Sequence, residues 1–261
     1  MRELSSIWKT LAMALSLGVA ACATSKPAPP PPVAAPQDKP PAVQGPSGDR
    51  PSPVTGWVPA YDAHIKAEAA KKPKLLALSA ADMAKICPAW GGLDETARIQ
   101  FYADFLYAVT RPESDYDRRS MMYEGDATNI DAITGHQQLS EGLLQLSYSD
   151  MQSYRPKQTY GETSADCAWD WPADQAALEA DIAANPGKKS FKSSHPERSI
   201  LNPYRNLSCG VFIQNRLISF GGERDALTRW GAYWSTMRPS LGSFAKVRAQ
   251  LASRNSPCVP Q

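Results

Sequence analysis

From residue 93 to the C-terminus, apolar positions recur every three or four residues, the spacing that turns one face of an α-helix toward a core. Ile99, Tyr102, Leu106 and Val109 fall in one row, and Phe101, Phe105 and Ala108 widen it. The segment opening at Leu93 is therefore expected to be a buried central helix. It should run out at Arg111-Pro112-Glu113, since proline disfavours helical geometry in the residue before it, which leaves Glu113 and Ser114 at or just past a helix end. Upstream, Ser79 and Asp82 form a capping box for a short helix that Pro88 stops. Downstream, Ser114 to Gln138 is polar and rich in Asp, Gly and Asn, a loop. A second helix is expected from Ser140, with Leu143, Leu144, Leu146 and Met151 as its apolar positions and an end before Pro156. The stretch from Arg155 to Pro203 looks like a surface insertion holding one helix around Ala173 to Ala184. Asn206 should cap a third strong helix, with Leu207, Val211 and Ile218 in one row and Ile213, Leu217 and Phe220 in another, stopped by Gly221-Gly222. A further helix begins near Glu223 and includes Ala226, Leu227 and Trp230, and a last one covers Phe244 to Leu251. No strand pattern of any length appears, so the expected fold is a single mostly-α domain, residues 56–261, with a long loop insertion.

The N-terminus changes the picture. Arg2 and Lys9 precede an apolar run from Leu11 to Ala21, and Val19-Ala20-Ala21 lead into Cys22. This reads as a secretory signal peptide, 1–21, because the run is shorter than the about 20 residues a membrane span needs. A small-residue triplet ending at cysteine resembles a lipobox, which implies that Cys22 is lipidated and anchors the chain. Ala23 after the cysteine points, by the same resemblance, to the periplasmic side of the outer rather than the inner membrane. Residues 22–55 hold about half of the 23 prolines and almost no large apolar side chain, so they read as a spacer that cannot build a core. Cys87, Cys167, Cys209 and Cys258 remain, an even number in an oxidising compartment, and two disulfides are expected. The pairing favoured is Cys167 with Cys209 and Cys87 with Cys258, although spacing alone leaves all three pairings open. Zinc is disfavoured: there is no C-x-x-C, and His64, His136 and His195 are scattered. A net charge of +2 gives no reason to invoke nucleic acid and is compatible with an anionic cell-wall polymer.

Three segments in fixed order carry the candidate chemistry. They are Glu113-Ser114, then Ser140-Glu141-Gly142-Leu143-Leu144-Gln145-Leu146, then Asn202-Pro203 through Asn206 to Gly210. Together, over roughly Leu93 to Tyr233, they resemble the lysozyme-like transglycosylase domain, whose Glu-Ser pair, Gly-Leu-Met-Gln-like block and Asn-x-x-x-Gly pattern follow one another in this way. The resemblance implies cleavage of the β-1,4 bond between N-acetylmuramic acid and N-acetylglucosamine of peptidoglycan, with no cofactor. Breaking that bond requires a proton delivered to the leaving oxygen, which a carboxyl of raised pKa supplies. By resemblance Glu113 is that acid and then the base that takes a proton from the sugar's own C6 hydroxyl, leaving a 1,6-anhydro product. Ser114 would orient the cleft, and Gln145 would hydrogen-bond the sugars.

The chain departs from the pattern where the family shows Tyr-Asn-Ala-Gly. Here it reads Trp230-Gly231-Ala232-Tyr233, and Trp230 and Tyr233 are candidates to stack on a sugar. Two rival readings follow. One is a non-catalytic glycan-binding or envelope-scaffold lipoprotein. The other is a hydrolase of the same fold, a muramidase, which needs a second carboxylate from among Asp115, Asp117, Glu124 and Asp126. No serine sits in a nucleophile-elbow pattern, which argues against a Ser-His-Asp triad.

Overall fold

The computed structural model describes residues 53–150, 167–219 and 225–258. The expected signal peptide and most of the expected spacer, the stretch from Met151 past Pro156, and the expected Gly221-Gly222 stop lie outside those residues. The fold is built on one long helix. We number α1 Pro59–Ala70, α2 Pro73–Leu76, α3 Ala80–Met83, α4 Glu95–Ser114, α5 Trp171–Ala184, α6 Pro203–Ser219, α7 Ala226–Tyr233 and α8 Ser243–Ser253. The Asp94 side chain caps α4 by accepting from the Ala97 N–H at 2.8 Å. Phe101, Tyr102, Phe105, Leu106, Ala108 and Val109 are all fully buried, as the periodicity predicts, and Ile99 is half-buried at the edge of the stripe.

Helices α1, α6 and α8 pack around α4 and its neighbours. Helix α1 has no counterpart in the sequence reading, because its buried side is only Tyr61, His64, Ile65 and Ala69, with a single large aliphatic residue, and most of the remainder is Ala, Lys, Asp and Glu. The Ser79/Asp82 capping box is present, and the helix it starts ends well before Pro88. Asp225 caps α7, and α8 buries Phe244, Val247 and Leu251. Both expected disulfides are formed, Cys87–Cys258 and Cys167–Cys209.

Three expectations are corrected. First, a small antiparallel sheet exists, with β1 Ser120–Tyr123 between β2 Leu139–Glu141 and β3 Ser190–Lys192. Met121 pairs with both Glu141 and Phe191. Strands of three or four residues are too short to show a period of two. Second, no helix starts at Ser140. Strand β2 turns sharply back on itself, with Glu141 and Leu146 exchanging backbone hydrogen bonds at 2.7 and 2.9 Å. Gly142 (φ +79°) and Gln145 (φ +52°) sit in the left-handed region, which an α-helix does not contain. Leu143, Leu144 and Leu146 are buried all the same. Third, the segment after Cys167 is not a surface appendage. It supplies β3 and the buried Leu178 and Phe191, and it brings Arg198 to an ion pair with the fully buried Glu141.

Candidate active site

Helix α4 ends within a residue of the expected Arg111-Pro112-Glu113. It continues through Pro112 to Ser114 and ends at Asp115, whose left-handed backbone (φ 53°) returns its N–H to the Arg111 carbonyl. Proline in the last turn forfeits a single backbone bond, and the packing of the long buried face outweighs that loss. Glu113 therefore projects from the last helical turn, half-buried, into a cleft shared with Glu124, Gln145, Asp150 and Tyr233. The cleft's other wall is the turn after α7. There the Thr236 hydroxyl donates to Glu113 Oε1 at 2.5 Å, and the Trp234 indole donates to the Leu144 carbonyl at 3.0 Å. Burial pushes the Glu113 carboxyl up to about 7, the Thr236 bond restrains it, and the charge of Glu124 adds to the rise.

Of the four loop carboxylates, only Glu124 lines the cleft. It directly follows β1, bonds its N–H to the Gln138 carbonyl and accepts from the Ser140 hydroxyl. Asp115 pairs with Arg111 in solvent. Asp117 is buried, which alone would raise its pKa, but bonds from Arg119 and Lys192 hold it below the usual carboxylate range and away from chemistry. Asp126 caps its own turn through Thr128, which also lowers it.

The other motif residues are placed by packing. Ser114 is buried, and its hydroxyl donates to the Leu143 carbonyl at 2.9 Å, so it orients the turn and does not face the cleft. Gln145 lines the cleft with both amide hydrogens engaged, by the carbonyls of Ser120 (3.1 Å) and Gly142 (2.9 Å), which fixes the side chain in place. The helix cap of α6 is Asn202, which accepts from the Tyr204 and Arg205 N–H groups. Asn206, expected there, lies fully buried inside the helix. It accepts from the Leu144 N–H and donates to the Glu141 and Ile200 carbonyls. A Cβ on Gly142 would lie 2.4 Å from Asn206 Nδ2, and one on Gly210 would lie 2.2 Å from Leu144 Cδ1. The Asn-x-x-x-Gly pattern thus serves to seat the turn that carries Gln145.

Trp230 is fully buried against Phe105, its indole directed at the Gln214 carbonyl, so it is core and cannot stack on a sugar. Tyr233 does line the cleft, where it donates to Asp150 Oδ2 at 2.5 Å. Asp150 is a residue the sequence reading missed. Burial pushes it up to about 6, against bonds from Ser147 and Tyr233, with Asp131 adding to the rise. Neither its spacing nor its neighbours gave it away. Among the described residues, no group of His, Cys, Asp or Glu could hold a metal ion. A separate, more apolar groove between Ile86 and α8 contains no carboxylate.

The cleft thus offers a carboxyl that holds its proton near neutrality, a second carboxylate, several amide and hydroxyl donors, and an aromatic edge. No protein-family model matches this chain, and no curated protein sequence matches it. Among solved structures it is similar to Bd0314 DslA, a Bdellovibrio protein. The wild-type form 2 of that protein is 24% identical, with a TM-score of 0.49, and a single glutamate-to-glutamine mutant of it is 22% identical, with a TM-score of 0.51. Each comparison covers 77% of this chain and 91% of the other. The likeness is distant and is one of fold alone.

Proposed function

We propose that the chain cleaves the β-1,4 bond between N-acetylmuramic acid and N-acetylglucosamine in peptidoglycan, with Glu113 as the general acid. The observation that carries this is the pairing, in one cleft, of a proton-holding Glu113 with a second carboxylate, Glu124. That pairing favours hydrolysis. Glu113 protonates the leaving oxygen as the bond breaks, Glu124 takes a proton from the attacking water, and a reducing end results. Gln145 supplies its free carbonyl oxygen to the sugars, and Tyr233, held by Asp150, forms the cleft wall. The second reading is the lytic transglycosylase of the motif resemblance, favoured by the ordered Glu113, Gln145 and Asn206–Gly210 blocks. In it the C6 hydroxyl of the sugar replaces water and Glu124 is only an electrostatic neighbour.

Mass spectrometry of the products released from purified peptidoglycan separates these readings. Hydrated products lost in both Glu113→Gln and Glu124→Gln support the hydrolase. Anhydro products that survive Glu124→Gln support the transglycosylase. Binding without any product would leave the envelope-scaffold lipoprotein. The tether belongs to the same proposal: Cys22, diacylated, would anchor the domain at the periplasmic face of the outer membrane through the proline-rich spacer. Among the described residues no helix is long and apolar enough to cross a membrane. Intact-mass measurement of the membrane-extracted protein, and of a Cys22→Ser variant, tests it.

A further inference from the structure

The cleft is rich in acid. Glu113, Glu124 and Asp150 line it, and the cation among its lining residues is Arg238. Arg238 sits two residues beyond Thr236, the residue that holds Glu113, at the exposed rim of the same turn. Its guanidinium is fixed by the chain. Nε donates to the Gly231 carbonyl at 2.6 Å and Nη2 to the Ala232 carbonyl at 3.4 Å, both at the C-terminal end of α7. These bonds leave the Nη1 hydrogens free of any bond among the described residues. Three other arginines are each paired with carboxylates, Arg111 with Asp115, Arg119 with Asp117, and Arg254 with Asp62 and Asp104. Arg238 has no carboxylate partner among the described residues.

We propose, resting on the peptidoglycan reading above, that Arg238 binds a carboxylate of the glycan substrate and so selects acidic saccharides over neutral ones of the same backbone. Arg238 is the one cation among the cleft's described lining residues, so it is where a substrate carboxylate meets an opposite charge. One fixed guanidinium then sets which sugar lies beside Glu113. Two sources present this chemistry: the free lactyl carboxyl of a muramic acid without its peptide, and a carboxylate on the stem peptide. A capping role for Arg238 at the end of α7 accounts for Nε and Nη2 but predicts no preference among ligands.

The test is calorimetric binding to the full chain carrying Glu113→Gln, so that substrate is not consumed. The probes are the disaccharide-repeat tetrasaccharide as its free lactyl acid, the same sugar as its methyl ester, chitotetraose, and the tetrasaccharide bearing a stem peptide with its carboxylates either free or amidated. A partly exposed charge pair should favour the acid over its ester by about five- to tenfold at low salt. Arg238→Gln should erase that ratio, and Arg238→Lys should keep part of it. A preference confined to the peptide-bearing sugar, and lost on amidation, assigns the stem peptide as the source. Equal binding of every acid and its neutral counterpart by the Glu113→Gln chain with Arg238 intact overturns the inference while leaving the cleft a glycan site. Failure of all the saccharides to bind overturns the peptidoglycan reading with it. The ester comparison uses no change at Arg238, so it holds even if that substitution disturbs the turn.

Discussion

Glu113 has to be buried enough to keep a proton near neutrality and open enough to hand it over, and its neighbours set that balance. The Thr236 hydroxyl favours the charged form and Glu124 disfavours it. Thr236→Val should therefore move the Glu113 titration above about 7, and Glu124→Gln should move it below, both readable from the side-chain carboxyl by carbon NMR. On the proposed reading Glu113 acts in its protonated form, so activity should fall as pH rises through about 7, and the Thr236→Val limb should lie at higher pH than that of the parent. The same shift is a cost to the fold. Between the ordinary value of 4.5 and about 7, the native state holds a proton that the unfolded chain has released, so this group's contribution to stability declines across that window as pH rises. Glu113→Gln, which does not titrate, should be more stable than the parent by about 1–3 kcal/mol at pH 8 and nearly equal to it at pH 4, measured by urea unfolding. Equal stability at both values would mean that the carboxyl is not held against its charge.

Among the elements, the tight turn from Glu141 to Leu146 is the one on which the cleft depends. It is gripped from two sides, by Asn206 at the Leu144 N–H and by Trp234 at the Leu144 carbonyl. Asn206→Ala takes the partner from the buried Leu144 N–H and the side-chain donor from the Ile200 carbonyl, leaves the Glu141 carbonyl only its bond from the Leu146 N–H, and should cost about 2–4 kcal/mol. Gly210→Ala drives a methyl into Leu144 and should cost about 1–3 kcal/mol. In both, loss of turnover should exceed what the unfolded fraction explains, since Gln145 is carried on the turn. Turnover that tracks the folded fraction would reduce the turn to scaffold. This region also shows where the sequence was legible. The motif resemblance grouped the segments that carry Glu113, Gln145 and Asn206, and the structure brings these three segments together; the dense apolar row of α4 marked that helix. What failed was conformation: Leu143, Leu144 and Leu146 bury from a turn as well as from a helix, so burial alone could not reveal the left-handed backbone at Gly142 and Gln145. Trp230 and Tyr233, three residues apart on α7, could not be told apart as core and cleft until the neighbouring elements were placed. Thr236, Asp150 and Arg238 had no spacing to mark them, because the chain brings them to the cleft only through tertiary packing.

At the scale of the whole molecule, two disulfides close loops of very different length, with sequence separations of 171 for Cys87–Cys258 and 42 for Cys167–Cys209. If their effect is mainly on the unfolded chain, removing the first costs about 5 kcal/mol and removing the second about 4 kcal/mol. Paired Cys→Ser variants compared by denaturant unfolding should preserve that order; a larger loss at Cys167–Cys209 would place its effect in native packing beside α6. The wide closure also follows from how the cleft is assembled. Glu113 lies near the middle of the sequence, while the hydroxyl that holds it and the indole that anchors the facing turn arrive with residues 234–236. A chain cut before Trp234 would therefore carry the glutamate without the wall that holds it and without the indole that anchors the facing turn.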